Sequence, residues 1–331
     1  MRNLARYVVY AFVLLLPAMV HAACSGVDVR PLLEPAAQSE IASRTAALPY
    51  PEGNHWRATR GDQTITVVGT MHLHDPRMAP VVRRLAPTIE TADLLLVEIT
   101  SDEEAALLRT IATDPTVAFL TEGPSLIERV SPEVWAALAE AARKRGIPPF
   151  MAAKYQPWFL SLTLAIAPCA MADLHGGKVG LDKMIMAEAV QANVPIAALE
   201  THREVIDLLA ADPIEEQVRF LPLVAQMEHT VDDAMATTIA AYFEEQHGAL
   251  LAFSRVYTRD QIEFPPEEFE ALFDDMMETL LDQRNLMWMQ RIDERTEEDI
   301  VIAVGAAHLS GETGLLNQLS QRGFALERRP F

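Results

Sequence analysis

The stretch ITVVGTMHLH, Ile65–His74, sets β-branched side chains at Ile65, Val67 and Val68 ahead of a glycine and a histidine. Such a run reads as a buried strand. Gly69 is where the backbone is free to turn, and His72 follows three residues later. The pattern returns near the other end of the chain. Asp299–His308, DIVIAVGAAH, is again a strand, a glycine (Gly305) and a histidine (His308). Each Gly-x-x-His precedes a helical segment that leads to another strand, Asp93–Val97 in the first case and Phe324–Arg328 in the second. The expected class is α/β (α+β): a central mixed sheet from two β-loop-α-β units with large helical insertions.

A side chain just past the end of such a strand is held by rigid scaffold yet opens onto the crevice where ligands sit. The strand Leu94–Val97 ends in a third group of this kind, Glu98. A carboxylate placed after four apolar residues needs a cation or hydrogen-bond donors. Two imidazoles and one carboxylate form a common ligand set for a catalytic metal with an open position for water. His72, Glu98 and His308 are therefore the expected ligands of a divalent metal, and zinc, cobalt and manganese all suit them.

The first residues, MRNLARYVVYAFVLLLPAMVHAAC, run from Arg2 and Arg6 through an apolar stretch to small residues. That is the order of a secretory signal, with cleavage after Ala22. Acylation of Cys24 is the second reading and an uncleaved anchor the third. A cleaved signal predicts a periplasmic or secreted protein with no stable membrane insertion. The whole chain has 27 Lys and Arg against 47 Asp and Glu. Losing Arg2 and Arg6 with the signal takes the net charge from −20 to −22, which argues against a nucleic-acid partner. The two cysteines, Cys24 and Cys169, are expected to form a bridge in an oxidising compartment.

The rest of the chain reads as one domain, 23–331, with helical insertions at about 102–180 and 211–297. Residues 23–50 read as a helical arm broken at Pro31 and Pro35. Trp56–Thr59 should pair with Ile65–Val68 as a hairpin. A helix should begin near Pro80 and be kinked or interrupted by Pro87. SPEVWAALAEAARKRG is a helix capped by Ser131 and stopped at Gly146. MAAKYQPWFLSLTLAIA reads as a second, and Asp182 as the N-cap of a third. VPIAAL, Val194–Leu199, is a short strand ending in Glu200, and Thr201 and Glu204 form a capping box. Residues 213–296 read as two or three long helices broken at Pro265-Pro266.

Several motifs together resemble the TraB/GumN family: GTMH, LLLVE, GLDKMIMAEA, VPIAALE-T, LLDQRN and VGAAHLSGETGLLNQLSQRGFALER. The resemblance runs from roughly Trp56 to Arg329, with the motifs in the family order. That family includes the Tiki proteins, metal-dependent proteases that cut secreted Wnt ligands, and is related to the haem-binding ChaN and erythromycin-esterase folds. What it implies here is a metal held by two Gly-x-x-His motifs and a Glu, mapped onto His72, His308 and Glu98. The first motif continues to a further imidazole, His74, either a ligand, a donor to one, or solvated.

Four residues are candidates for the chemistry itself. Glu98, when not a ligand, or else Glu200 takes a proton from water. Arg284, beside Asn285 in ETLLDQRNLMWMQRID, stabilises an oxyanion or pairs with Asp282 or Glu200. Tyr155, Trp158 and Phe159 read as core or groove wall, and the methionines (Met184, Met186, Met276, Met277, Met287, Met289) as core filling. The expected function is metal-dependent hydrolysis of a peptide or similar acyl bond, with a peptide or protein substrate. The alternatives are a metal-free hydrolase with His72 as general base, a haem- or metal-binding protein, and a non-enzymatic envelope factor.

Overall fold

The structure is a computed structural model, and residues 26–331 are described. The expected signal at 1–22, and Cys24 of the expected bridge, lie outside them. Among the described residues no single helix is long and apolar enough to cross a membrane.

Six strands form one mixed sheet: β1 (His55–Arg60), β2 (Gln63–Thr70), β3 (Leu94–Val97), β4 (Ile196–Ala198), β5 (Asp299–Gly305) and β6 (Ala325–Arg328). Their order is β4-β3-β5-β2-β1-β6. The four from β4 to β2 are parallel, and β1 runs antiparallel to both β2 and β6. The expected hairpin is present, with Trp56 opposite Val67 and Ala58 opposite Ile65. The two strands that carry the Gly-x-x-His motifs are direct neighbours, with Gly69 opposite Val304 and Thr70 opposite Gly305.

The central strands β3, β5 and β2 are buried on both faces, as parallel strands with crossover helices require. Val68, Leu95, Val97, Val301 and Ala303 face one way, onto the helices Met78–Glu90 and Leu181–Ala192. Ile65, Val67, Leu94, Leu96, Ile300, Ile302 and Val304 face the other, onto Gln283–Asp293 and Leu315–Gln321. The helices between β3 and β4 build a further core with the helix Leu221–Met227, around Leu126, Leu138, Leu160 and Leu221.

Several boundaries differ from those read in the sequence. The strand β2 does not stop at Gly69 but runs on to Thr70. A Cβ at Gly69 would lie 2.8 Å from Leu309 Cδ1 and 3.1 Å from the Ala306 backbone, so this glycine permits close packing rather than a turn. The helix Met78–Glu90 continues through Pro87. That proline lies on the exposed face of the last turn, where water satisfies the carbonyl it cannot serve. Pro35 starts the helix Pro35–Ala46 instead of breaking the arm. The single helix expected around Pro157 is two, Pro149–Ala152 and Pro157–Ala165. The N-cap expected at Asp182 is Gly180. VPIAAL contributes only Ile196–Ala198 to the sheet. The two or three long helices expected over 213–296 are a succession of shorter ones, turned for example at Glu245, which has left-handed φ of 60°.

Candidate functional site

The four parallel strands end side by side, and each delivers one ionisable side chain. In spatial order these are Glu200 after β4, Glu98 after β3, His308 after β5 and His72 after β2. Loops at the carboxyl ends of parallel strands are where α/β proteins bind ligands. His308 sits in a single 3-10 turn, Ala306–His308, directly after β5. Glu98 is within reach of that turn because β3 and β5 are neighbours, and its Oε1 accepts the Gly305 N–H at 2.6 Å.

Arg284 enters this row from above, on the helix Gln283–Asp293. A π-helical turn, Glu278–Asp282, precedes it, an irregularity common at functional sites. The guanidinium donates from Nε and Nη2 to Glu200, at 3.0 and 2.5 Å, and from Nη2 to Glu98 at 2.7 Å. Its Nη1 donates to the Leu280 carbonyl at 3.2 Å and lies 3.4 Å from His308 Nε2. Trp288, one turn on, places its ring beneath both the guanidinium and the His308 imidazole, and its Nε1–H donates to Glu200 at 3.0 Å.

Both imidazoles are anchored through Nδ1. His308 Nδ1 meets Asn285 Oδ1 at 2.8 Å, a contact that requires the proton on Nδ1 and leaves Nε2 with its lone pair. His72 Nδ1 lies 3.2 Å from Asp182 Oδ2. The loop before His72 is tied to the start of the Leu181–Ala192 helix by the Leu181 N–H donating to the Met71 carbonyl. Gly180 permits this approach, since a Cβ there would fall 2.3 Å from Met71 O.

The two imidazoles hold opposite charge states. Burial is the main force on His308 and drives it down to about 3, with Glu98 opposing and Arg284 and His72 adding to the fall. It is neutral at physiological pH. The hydrogen bond to Asp182 is the main force on His72, and with Glu98 it raises that imidazole to about 9. The His72 side chain is 62% exposed, so its partners and not burial decide its charge. For Glu98 burial opposes ionisation, but His308, Arg284, His72 and the Gly305 N–H outweigh it and hold the carboxyl at about 2. Burial disfavours the Arg284 charge, and Glu200 and Glu98 more than restore it.

His72, Glu98, Arg284 and His308 line one cavity of about 310 Å³ with Thr238 and Tyr242 on its wall. Two larger cavities, of about 470 and 410 Å³, contain neither Gly-x-x-His histidine, so volume does not single out the site. Convergence of chemistry does. Glu200 and Asn285 stand behind this cavity, the first holding Arg284 and the second holding His308. His74 is turned elsewhere, its Nδ1 lying 3.3 Å from the Val179 carbonyl beside Asp173 and Lys178.

Among the described residues no three His, Cys, Asp or Glu side chains stand close enough together to hold a metal ion as placed. The donor chemistry nevertheless suits one. Each imidazole is fixed through Nδ1 by an oxygen acceptor, the usual support for a histidine that ligates through Nε2, and Glu98 is ionised beside them. The obstacle is another positive charge, Arg284, already on that carboxylate.

Two contributors escaped the sequence reading. Asp182, read as a cap, holds His72, and Trp288, not singled out, supports Glu200, Arg284 and His308 together. The spacing of Arg284, Asn285 and Trp288 on one helix face was the available sign.

The fold and site define an α/β protein with paired Gly-x-x-His strand ends around an acid and an arginine. The model of the TraB/PrgY/gumN family matches residues 54–328, and the chain belongs to that family. Over 273 residues, 81% of this chain and 94% of the relative, it is 24% identical to "Uncharacterized protein YbaP" of Escherichia coli (strain K12). The protein of the same name from Shigella flexneri is equally similar.

Proposed function

We propose that the strand-end cavity is a hydrolytic centre for a peptide or similar acyl bond, served by a divalent metal held by His72, Glu98 and His308. The observation that carries this reading is the anchoring of both imidazoles through Nδ1, by Asp182 and by Asn285, which makes Nε2 the nitrogen of each that a metal would meet. Such a metal would polarise a carbonyl and lower the pKa of a bound water. Manganese, cobalt and zinc all fit the donors.

The chain's own residues do the remaining work. Asn285 keeps the His308 proton on Nδ1. Asp182 orients His72 through Nδ1, and the proton a cation would displace from Nε2 is released to water. Arg284 lies beside His308 Nε2 and there stabilises negative charge developing on a carbonyl oxygen. Glu200 holds Arg284 in place, and Glu98 receives a proton where it is not committed as ligand. The N-terminal pattern supports a periplasmic or secreted location for this activity, on a peptide or protein substrate.

A metal-free variant of the same hydrolysis is supported by one observation: His308 is neutral and keeps its lone pair on Nε2, which Arg284 Nη1 faces at 3.4 Å. In that reading His308, rather than His72, is the general base, because His72 is held as an imidazolium and can only donate.

The test is metal analysis of protein purified without chelator, followed by assay on a peptide library with and without manganese, cobalt or zinc. His308→Ala should lose both metal and activity with its far-UV circular dichroism unchanged. Unaltered metal stoichiometry in that variant sinks the metal reading, and chelator-insensitive activity selects the metal-free one.

A further inference from the structure

Among the described residues Arg284 is the one cation in direct contact with both Glu98 and Glu200. The contacts of Arg284 are unequally divided. Two of its three donor atoms reach Glu200, a third binds the Leu280 carbonyl, and its face lies over Trp288. Only the single 2.7 Å bond from Nη2 ties it to Glu98. Glu98, by contrast, is the carboxylate at the cavity, while Glu200 is 1% exposed behind it. A guanidinium on a carboxylate takes the oxygen lone pairs that a metal would use.

We propose that Arg284 is an exchangeable internal counter-cation: it neutralises Glu98 when the site is empty and withdraws onto Glu200 and Trp288 when a divalent metal binds. The inference rests on the metal reading above. Glu200 is then the resting place that makes exchange possible, because Arg284 gives up one contact and keeps the others. Without it a metal would have to displace a buried guanidinium that has no second carboxylate, and a buried unpaired charge is strongly disfavoured.

A plain field effect also predicts that removing Arg284 tightens metal binding and removing Glu200 weakens it. A double-mutant cycle separates the two, because exchange couples the residues and a field does not. Mn²⁺ would be titrated into the full chain by calorimetry for wild type, Arg284→Gln, Glu200→Gln and the double variant. Arg284→Gln is expected to bind about tenfold more tightly. Glu200→Gln should bind about tenfold more weakly while Arg284 is present, and should have little further effect in the Arg284→Gln background.

An equal loss from Glu200→Gln in both backgrounds overturns the exchange and leaves the metal reading standing. Absence of Mn²⁺ binding in all four proteins overturns both. Should Arg284→Gln unfold because two carboxylates lose their shared cation, Arg284→Ala with millimolar guanidinium restores the missing ion. The added ion should then compete with Mn²⁺, raising its apparent Kd in proportion to its concentration. An apparent Kd indifferent to guanidinium overturns the proposal.

Discussion

His308 owes its usefulness to one neighbour. Its Nδ1–H donates to Asn285 Oδ1 deep in the protein, and that bond decides which nitrogen faces the cavity. Asn285→Ala should therefore lower metal affinity or activity by about 10–100-fold with the fold retained, as read by calorimetry beside circular dichroism. A variant with wild-type affinity would show that the tautomer is fixed elsewhere. Trp288 gives a second case. Trp288→Phe keeps a ring beneath Arg284 and His308 but deletes the N–H on Glu200. Leaving that buried acceptor one donor short should cost about 1–3 kcal/mol in denaturant unfolding. The sequence made His72, Glu98 and His308 legible because each follows a strand within three residues of its end. It hid Asp182, whose partner lies 110 residues away and whose local position mimics a cap.

At the scale of elements, the close approaches set the geometry. Gly69→Ala would press a methyl on Leu309 and the Ala306 backbone, forcing β2 away from the turn that carries His308. Overpacking of this kind should cost about 1–3 kcal/mol, measurable as a lowered midpoint in urea. The helix His202–Leu209 shows a different kind of control. Thr201 and Glu204 form a reciprocal capping box, and Arg291 pairs with Glu204 across the helix layer. Arg291 is the main cause that brings Glu204 from 4.5 to about 2, with burial opposing and Thr201 assisting. A carboxylate with a depressed folded-state pKa stabilises above its unfolded value and loses that contribution as pH falls through the folded one. Stability supplied by Glu204 should thus be complete above about 4.5 and disappear toward 2. Glu204→Gln should flatten the acid limb of the unfolding curve in that window, and an unchanged limb would assign the acid sensitivity to other carboxylates. This box was plain in the sequence, since capping is local. The interruptions of the helices in 213–296 were not, since they depend on what each turn packs against.

Across the whole molecule, two kinds of core coexist. The central strands β3, β5 and β2 are covered by helices on both faces, while the helices between β3 and β4 gather around Leu126, Leu138 and Leu160 with Leu221 from beyond β4. Leu160 is fully buried there, and Leu160→Ala should cost about 2–5 kcal/mol locally. Hydrogen exchange should then accelerate in the helices of this core while the amides of β5 stay protected. Equal acceleration in both would show that the two cores open as one unit.

By itself the sequence determined the strand–glycine–histidine units, the hairpin, the caps at Ser131 and Thr201 and the mixed α/β class, because each of these follows from side-chain periodicity or from contacts within a few residues. Only the tertiary structure decided that β5 lies between β2 and β3, which sets Glu98 against Gly305 and brings Arg284 onto Glu98 and Glu200. The same strands in another lateral order would keep every local pattern and scatter these groups. Strand order is fixed by which faces bury which helices, an energy summed over distant residues and written in no short stretch of chain.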